Sequence, residues 1–328
     1  MNAKAVNSEA QNQPHWSGLK EAGTLRGLLF LHWVHRIFGR RFFSVLLYPV
    51  TLYFFLFKPV ARRASLDFLR THARAYPDYW PKTPGYFQVL QHFYAFGQSI
   101  LDKALAWGAP LHEGEFEVGD RAQLDAFMAK ENGQLIIGSH LGNLEYCRGF
   151  VQRYRQKTIN ALVYDQHSAN FVNAMQTLYP ESRIYIYQVN QLDIPLMLAL
   201  KAKIDAGEWL FIAGDRIPLS GEARTLPVDF MQREAQFPIG PYMLAKLLQC
   251  EVQLMFSYRQ GKKVYFDLVP FAEQVTLPRG EQGEARLREY AQQYASELER
   301  QCARAPLQWF NFYPYWSDAA PSSKGDAQ

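Results

Sequence analysis

The chain has 328 residues, 48% of them hydrophobic and 15% aromatic, with a formal net charge of +4. That apolar content can fill one large domain or two ordinary ones, and the modest charge, with no basic run interleaved with aromatics, excludes a dedicated nucleic-acid binder. Three widely spaced cysteines (Cys147, Cys250 and Cys302) give no disulfide framework and point to a reducing, cytosolic setting.

Residues 1–23 are polar and rich in Asn, Gln, Ser and Gly, the composition of a disordered tail. The first apolar segment comes too late for a secretory signal. Residues 25–38 predict an amphipathic helix with His32, His35 and Arg36 on its wetter face. Residues 42–57 are the most hydrophobic window, bracketed by Arg40 and Arg41 before it and by Lys58, Arg62 and Arg63 after it. The window is shorter than the ~20 residues a spanning helix needs, and Pro49 is expected to kink it. Basic flanks around an aromatic centre suit a helix lying in an anionic membrane surface; a buried core helix and a tilted span are the alternatives. Two more helices are predicted at 61–76 and 83–107, the second striped by Phe87, Leu90, Phe93, Tyr94 and Ile100.

After Gly108 the rhythm becomes strand and helix in alternation. Strands are predicted near Phe116 and at 134–138, 158–164, 183–189 and 208–213; helices at 121–130, 144–156, 168–178 and 191–206. This order predicts an α/β fold with a mostly parallel sheet flanked by helices. Two later strands, 251–259 and 263–269, flank Gln260-Gly261 as a hairpin, and a long charged helix covers about 282–303. The domain expectation is a tail (1–23), a helical membrane-associated region (24–107), an α/β domain (108–316) and a second tail (317–328).

The chemistry gathers at Gly138-Ser139-His140-Leu141-Gly142-Asn143-Leu144-Glu145. His140 falls in a strand-to-helix turn, at the carboxyl end of a strand, where open α/β sheets place their ligands. Glu145 is close enough in sequence to reach back to the imidazole. A carboxylate that accepts the Nδ1 proton would leave Nε2 as a base. Asn143 is either a helix cap or a donor toward a reacting carbonyl. His and Glu five apart do not share a helix face, and no second His or Cys lies at ligand spacing, so no metal is expected. Gly214-Asp215-Arg216 also follows a strand, and the Arg216 fork suits a phosphate or an oxyanion. No Gly-x-Ser-x-Gly elbow supplies a nucleophile.

The His140-x4-Glu145 motif resembles that of the glycerolipid acyltransferase superfamily, and the fuller stretch is similar to its lipid A lauroyl and myristoyl acyltransferase branch. Phe211-Ile-Ala-Gly-Asp215-Arg216 resembles a further block of that branch, as do Val228 to Pro241 and the closing Pro306-Leu-Gln308. The resemblance implies acyl transfer from a thioester of acyl carrier protein or coenzyme A to a lipid-like acceptor, without a cofactor, at the cytoplasmic face of a bacterial inner membrane. It implies His140 and Glu145 as catalytic residues, and Asn143, Tyr164, Asp215, Arg216 and Arg233 as substrate-binding. An acidic carrier protein would dock on Arg148, Arg153, Arg155 and Lys157. The sequence departs from the branch in lacking an arginine after Tyr164, in carrying Arg216 where Gln is usual, and in a closing segment without basic residues. In this it resembles the acyltransferases of aryl polyene assembly, which leaves the acceptor open. The competing function is a membrane-docked lipid-binding or scaffold protein that keeps the fold without turnover.

Overall fold

The structure, a computed structural model, describes residues 25–108, 114–143, 146–147, 157–163, 183–217 and 224–316. Helices α1 (Leu25–Phe57), α2 (Pro59–Ala75) and α3 (Tyr86–Gly108) precede the sheet. The later helices are α4 (Arg121–Met128), α5 (Ile194–Asp205), α6 (Gly240–Leu248) and α7 (Glu281–Arg304). The strands are β1 (Phe116–Val118), β2 (Leu135–Gly138), β3 (Ile159–Val163), β4 (Ile184–Gln188), β5 (Trp209–Ala213), β6 (Thr225–Phe230), β7 (Arg233–Pro238), β8 (Val252–Gln260) and β9 (Lys263–Ala272).

Seven of these strands form one sheet in the order β1-β9-β8-β2-β5-β3-β4. Every neighbouring pair is parallel except the β8–β9 hairpin. The expected mostly parallel α/β fold is therefore present. Along the central strands the side chains alternate between two cores. Leu135, Ile137, Leu210 and Ile212 pack with Tyr242, Leu248, Tyr294 and Leu298 of α6 and α7. Ile136, Trp209, Met255 and Phe266 pack with Leu124 and Phe127 of α4 on the other face. With both faces covered, apolar residues need not alternate with polar ones, which is why β2 is a continuous apolar run.

Local chemistry sets several boundaries. The Asp120 and Asp193 side chains accept from the backbone N–H groups of Gln123 (2.9 Å) and Leu196 (2.8 Å), capping α4 and α5. The helices expected at 144–156 and 168–178 fall almost wholly outside the described residues. One hairpin had no sequence signal. β6 and β7 turn through Met231 and Gln232, both at positive φ (57° and 60°), without the Asn-Gly or Asp-Gly such a turn prefers. Its strain is offset by Glu299 of α7, which accepts the Met231 N–H at 2.7 Å and the Tyr76 hydroxyl at 2.9 Å.

The helical region also differs in detail. The helix runs through Pro49, and the residue with non-helical backbone is Gly39 (φ 74°, ψ 176°). Among the described residues no single helix is long and apolar enough to cross a membrane; the pieces Arg41–Phe57 and Pro59–Ala75 reach that composition only together, bent by 96°. α1 packs on α3, where Tyr48 stacks on Tyr94 at 4.8 Å and Gln98 donates to Ser44 Oγ at 2.9 Å. Elsewhere along the helix Val45, Leu52, Tyr53, Leu56 and Phe57 are exposed.

Candidate active site

β2 and β5 are direct neighbours, in register from Leu135↔Leu210 to Gly138↔Ala213. Two residues beyond that last pair on each strand stand His140 and Asp215, so the register alone brings them side by side. His140 Nδ1 lies 2.7 Å from Asp215 Oδ1, and the His140 backbone N–H donates to Oδ2 at 2.8 Å. The indole Nε1–H of Trp309 adds a third donor, at 3.1 Å from Oδ2. The Asp215 side chain is 0% exposed and that of His140 is 30% exposed. Burial alone would push the Asp215 carboxyl up; the facing His140, the adjacent Arg216 and the His140 N–H outweigh it and hold the carboxyl below its usual value. An ionised carboxylate can only accept, so Nδ1 carries the proton and Nε2 the lone pair. This is the tautomer that a general base requires.

The loop carrying His140 is held from two sides. Leu141 pairs with Trp309 and Gly142 with Ser257 as isolated bridges. Phe310 N–H donates to the His140 carbonyl at 3.0 Å, and Gly142 N–H donates to the Gln308 carbonyl at 2.7 Å. Gly142 has φ +65°, and a Cβ there would sit 1.9 Å from the Ser257 carbonyl oxygen, so the backbones approach more closely than any side chain permits. Gln308 splints the closing segment to β8, accepting from Arg259 N–H at 2.9 Å and donating to its carbonyl at 2.8 Å. That gives the Pro306-Leu-Gln308 motif a physical purpose.

The other expected site residues fall in several places. Asp215, expected at the substrate, has its buried carboxylate against His140. Arg216 is beside it, with Nη2 donating to the Phe310 carbonyl at 2.9 Å. Asn143 is buried, and its side-chain amide donates to the Ser99 carbonyl of α3 at 3.2 Å. Arg233 sits elsewhere: its guanidinium bonds to Asp67 at 3.0 Å and Thr71 at 2.6 Å on α2 and lies over the Trp316 ring. Glu145 and Tyr164 lie outside the described residues, as do Arg148, Arg153 and Arg155. Lys157 Nζ donates to the carbonyls of Lys130 and Glu131. Sequence reading missed Trp309 and Ser257; the aromatic after Gln308 was the available signal for the first, and none marks the second.

A histidine oriented by a buried carboxylate at the carboxyl edge of a mostly parallel sheet is the equipment of α/β enzymes that work by general-base catalysis. The chain belongs to the bacterial lipid A biosynthesis acyltransferase family, whose family model matches residues 19–318. It is an acyl-transferring enzyme of lipid metabolism. No curated protein matches the chain.

Proposed function

We propose that this enzyme is membrane-associated and moves a fatty acyl group from a thioester, of acyl carrier protein or coenzyme A, to a hydroxyl or amine of a lipid-like acceptor at the cytoplasmic face of the bacterial inner membrane. The observation that carries the chemistry is the 2.7 Å bond between His140 and Asp215. In this mechanism His140 Nε2 takes the acceptor's proton as the acceptor attacks the thioester carbonyl. The tetrahedral intermediate collapses by breaking the C–S bond, and the imidazolium returns the proton to the departing thiolate. Asp215 fixes the ring and stabilises its positive charge in the transition state. Glu145, the carboxylate of the His-x4-Glu motif, joins Asp215 in this reading, orienting His140 and stabilising its positive charge. Arg216, beside the pair, binds an anionic group of acceptor or donor. The site needs no covalent acyl-enzyme.

The exposed apolar face of α1 supports the membrane reading. Val45, Leu52, Tyr53, Leu56 and Phe57 of this one helix all stand exposed, and exposed apolar side chains grouped on one element suit a lipid surface. Arg62 donates to the Phe55 carbonyl at 2.7 Å, neutralising the end of this helix with a cation, while Lys58 adds an exposed one. The test incubates purified protein with anionic lipid vesicles, a bacterial lipid extract and matched carrier-protein and coenzyme A thioesters. Mass spectrometry of the lipids should find an acceptor heavier by one acyl chain, and the protein should co-sediment with vesicles less well as salt rises. Thioester hydrolysis without an acylated lipid, or no vesicle binding at low salt, would overturn the corresponding part.

A further inference from the structure

Trp309 stands where the catalytic loop, the sheet and the N-terminal helices meet. Its backbone pairs with Leu141, and its indole N–H donates to Asp215 Oδ2. The ring is fully buried, edge-on to Phe68 of α2 at 4.8 Å, Phe230 of β6 at 5.3 Å and Tyr315 at 4.8 Å. Its carbonyl lies 3.1 Å from His92 Nε2 of α3, and Ser65 Oγ of α2 lies 2.9 Å from His92 Nδ1. A carbonyl only accepts, so Nε2 carries the His92 proton and the Ser65 hydroxyl donates to Nδ1. A continuous set of directed bonds therefore joins α2 and α3 to the His140–Asp215 pair.

We propose that Trp309 is a positioning residue for the His140–Asp215 pair: its indole N–H fixes the carboxylate and lowers the pair's affinity for a proton, while Phe68 packs on the indole and His92 holds the Trp309 backbone. The inference rests on the reading of His140 as the base. A donor on Oδ2 draws negative charge away from the carboxylate, leaving less to stabilise the imidazolium. Removing that donor makes proton uptake by the pair easier. Among the described residues facing Asp215 are Arg216, Tyr294 and Cys302 of α7, and Tyr313 and Tyr315 of the closing segment. Burial raises the tyrosines and the thiol above their ordinary values, so they stay neutral through the working range. His92 is pushed down to about 3 by burial and also stays neutral.

The experiment follows the His140 imidazole by NMR through a pH titration of the full-length protein, assigning the resonance by its loss in His140→Ala. Trp309→Phe should raise the midpoint by on the order of one pH unit, and the acid limb of kcat/KM should move up with it. His92→Leu should shift the midpoint the same way by less. His92→Gln, which keeps a donor near the Nε2 position, should restore it. A packing role alone would lower the melting temperature without moving the midpoint. An unmoved midpoint in folded Trp309→Phe overturns the proposal. Should that variant not fold, equal midpoints in His92→Leu and His92→Gln overturn it. Activity surviving in His140→Ala would refute the base assignment instead, and the midpoints would still report on the Trp309 bond.

Discussion

Replacing Asp215 by Asn tests the orienting carboxylate with almost no change in shape. Oδ2 accepts two donors, the His140 N–H at 2.8 Å and the Trp309 indole at 3.1 Å, whereas Oδ1 meets only His140 Nδ1 among its described bonds. In Asp215→Asn the oxygen of the new amide should therefore take the doubly occupied place, which turns its NH2 group toward Nδ1. Two donors cannot face one another, so the imidazole switches to the tautomer with the proton on Nε2. The base is then lost for most of the population, and no carboxylate at this position remains to stabilise imidazolium. General-base contributions of roughly 10²–10⁴-fold set the expected fall in kcat, equivalent to about 3–5 kcal/mol at 1.36 kcal/mol per tenfold. Binding of the thioester should change little, so KM stays near its original value. The assay is initial-rate acyl transfer over a pH series, with circular dichroism confirming the fold. A folded Asp215→Asn enzyme within about threefold of the wild-type kcat would refute the reasoning, because the expected fall is far larger.

Acid stability follows from two buried histidines, His72, pushed down to about 4, and His92, pushed down to about 3, in both cases by burial. The unfolded chain binds their protons from about pH 6.5 downward and the native state does not. Their contribution is therefore whole above that pH and is lost as pH falls toward 4 and then 3, on the order of 1.4 kcal/mol per pH unit for each; denaturant melts at pH 7 and 5 should show the drop, and His72→Gln should flatten it. Gly142→Ala forces a Cβ to within 1.9 Å of the Ser257 carbonyl oxygen, so the loop must leave β8, with a loss of about 3 kcal/mol in denaturant melts and of at least about tenfold in kcat, because the loop carries His140. Arg233→Ala removes the bonds to Asp67 and Thr71 and should cost about 1–3 kcal/mol of stability; a raised KM at unchanged stability would assign that guanidinium to the substrate instead.

The sheet was legible because its central strands β2 and β5 are short apolar runs ended by Gly, and each described strand of the parallel part lies within a residue or two of its expected place. The hairpin about Gly261 was legible for the same reason, since turn chemistry is local. What sequence could not give is adjacency. His140 and Asp215 are far apart in the chain, and only the crossover that puts β5 beside β2 makes them partners. Glu145 is read as a partner of His140 because it is near in sequence; the Asp215 carboxylate reaches the same imidazole across the sheet and has no such local signal. The Met231-Gln232 turn escaped because its positive φ values are held by Glu299 from a distant helix rather than by its own residue types. Arg233 lies in a stretch resembling a family block, and its bonds to Asp67 and Thr71 of α2 likewise come from elements distant in the chain.

The proposed chemistry turns on His140 being the base for acyl transfer. Its most direct test is single-turnover transfer from a carrier-protein thioester to extracted lipid, wild type against His140→Ala, with the acylated product measured by mass spectrometry. The wild type should give product, and the folded variant should give it at a rate lower by at least about 10²-fold. Equal rates in the two would contradict the assignment.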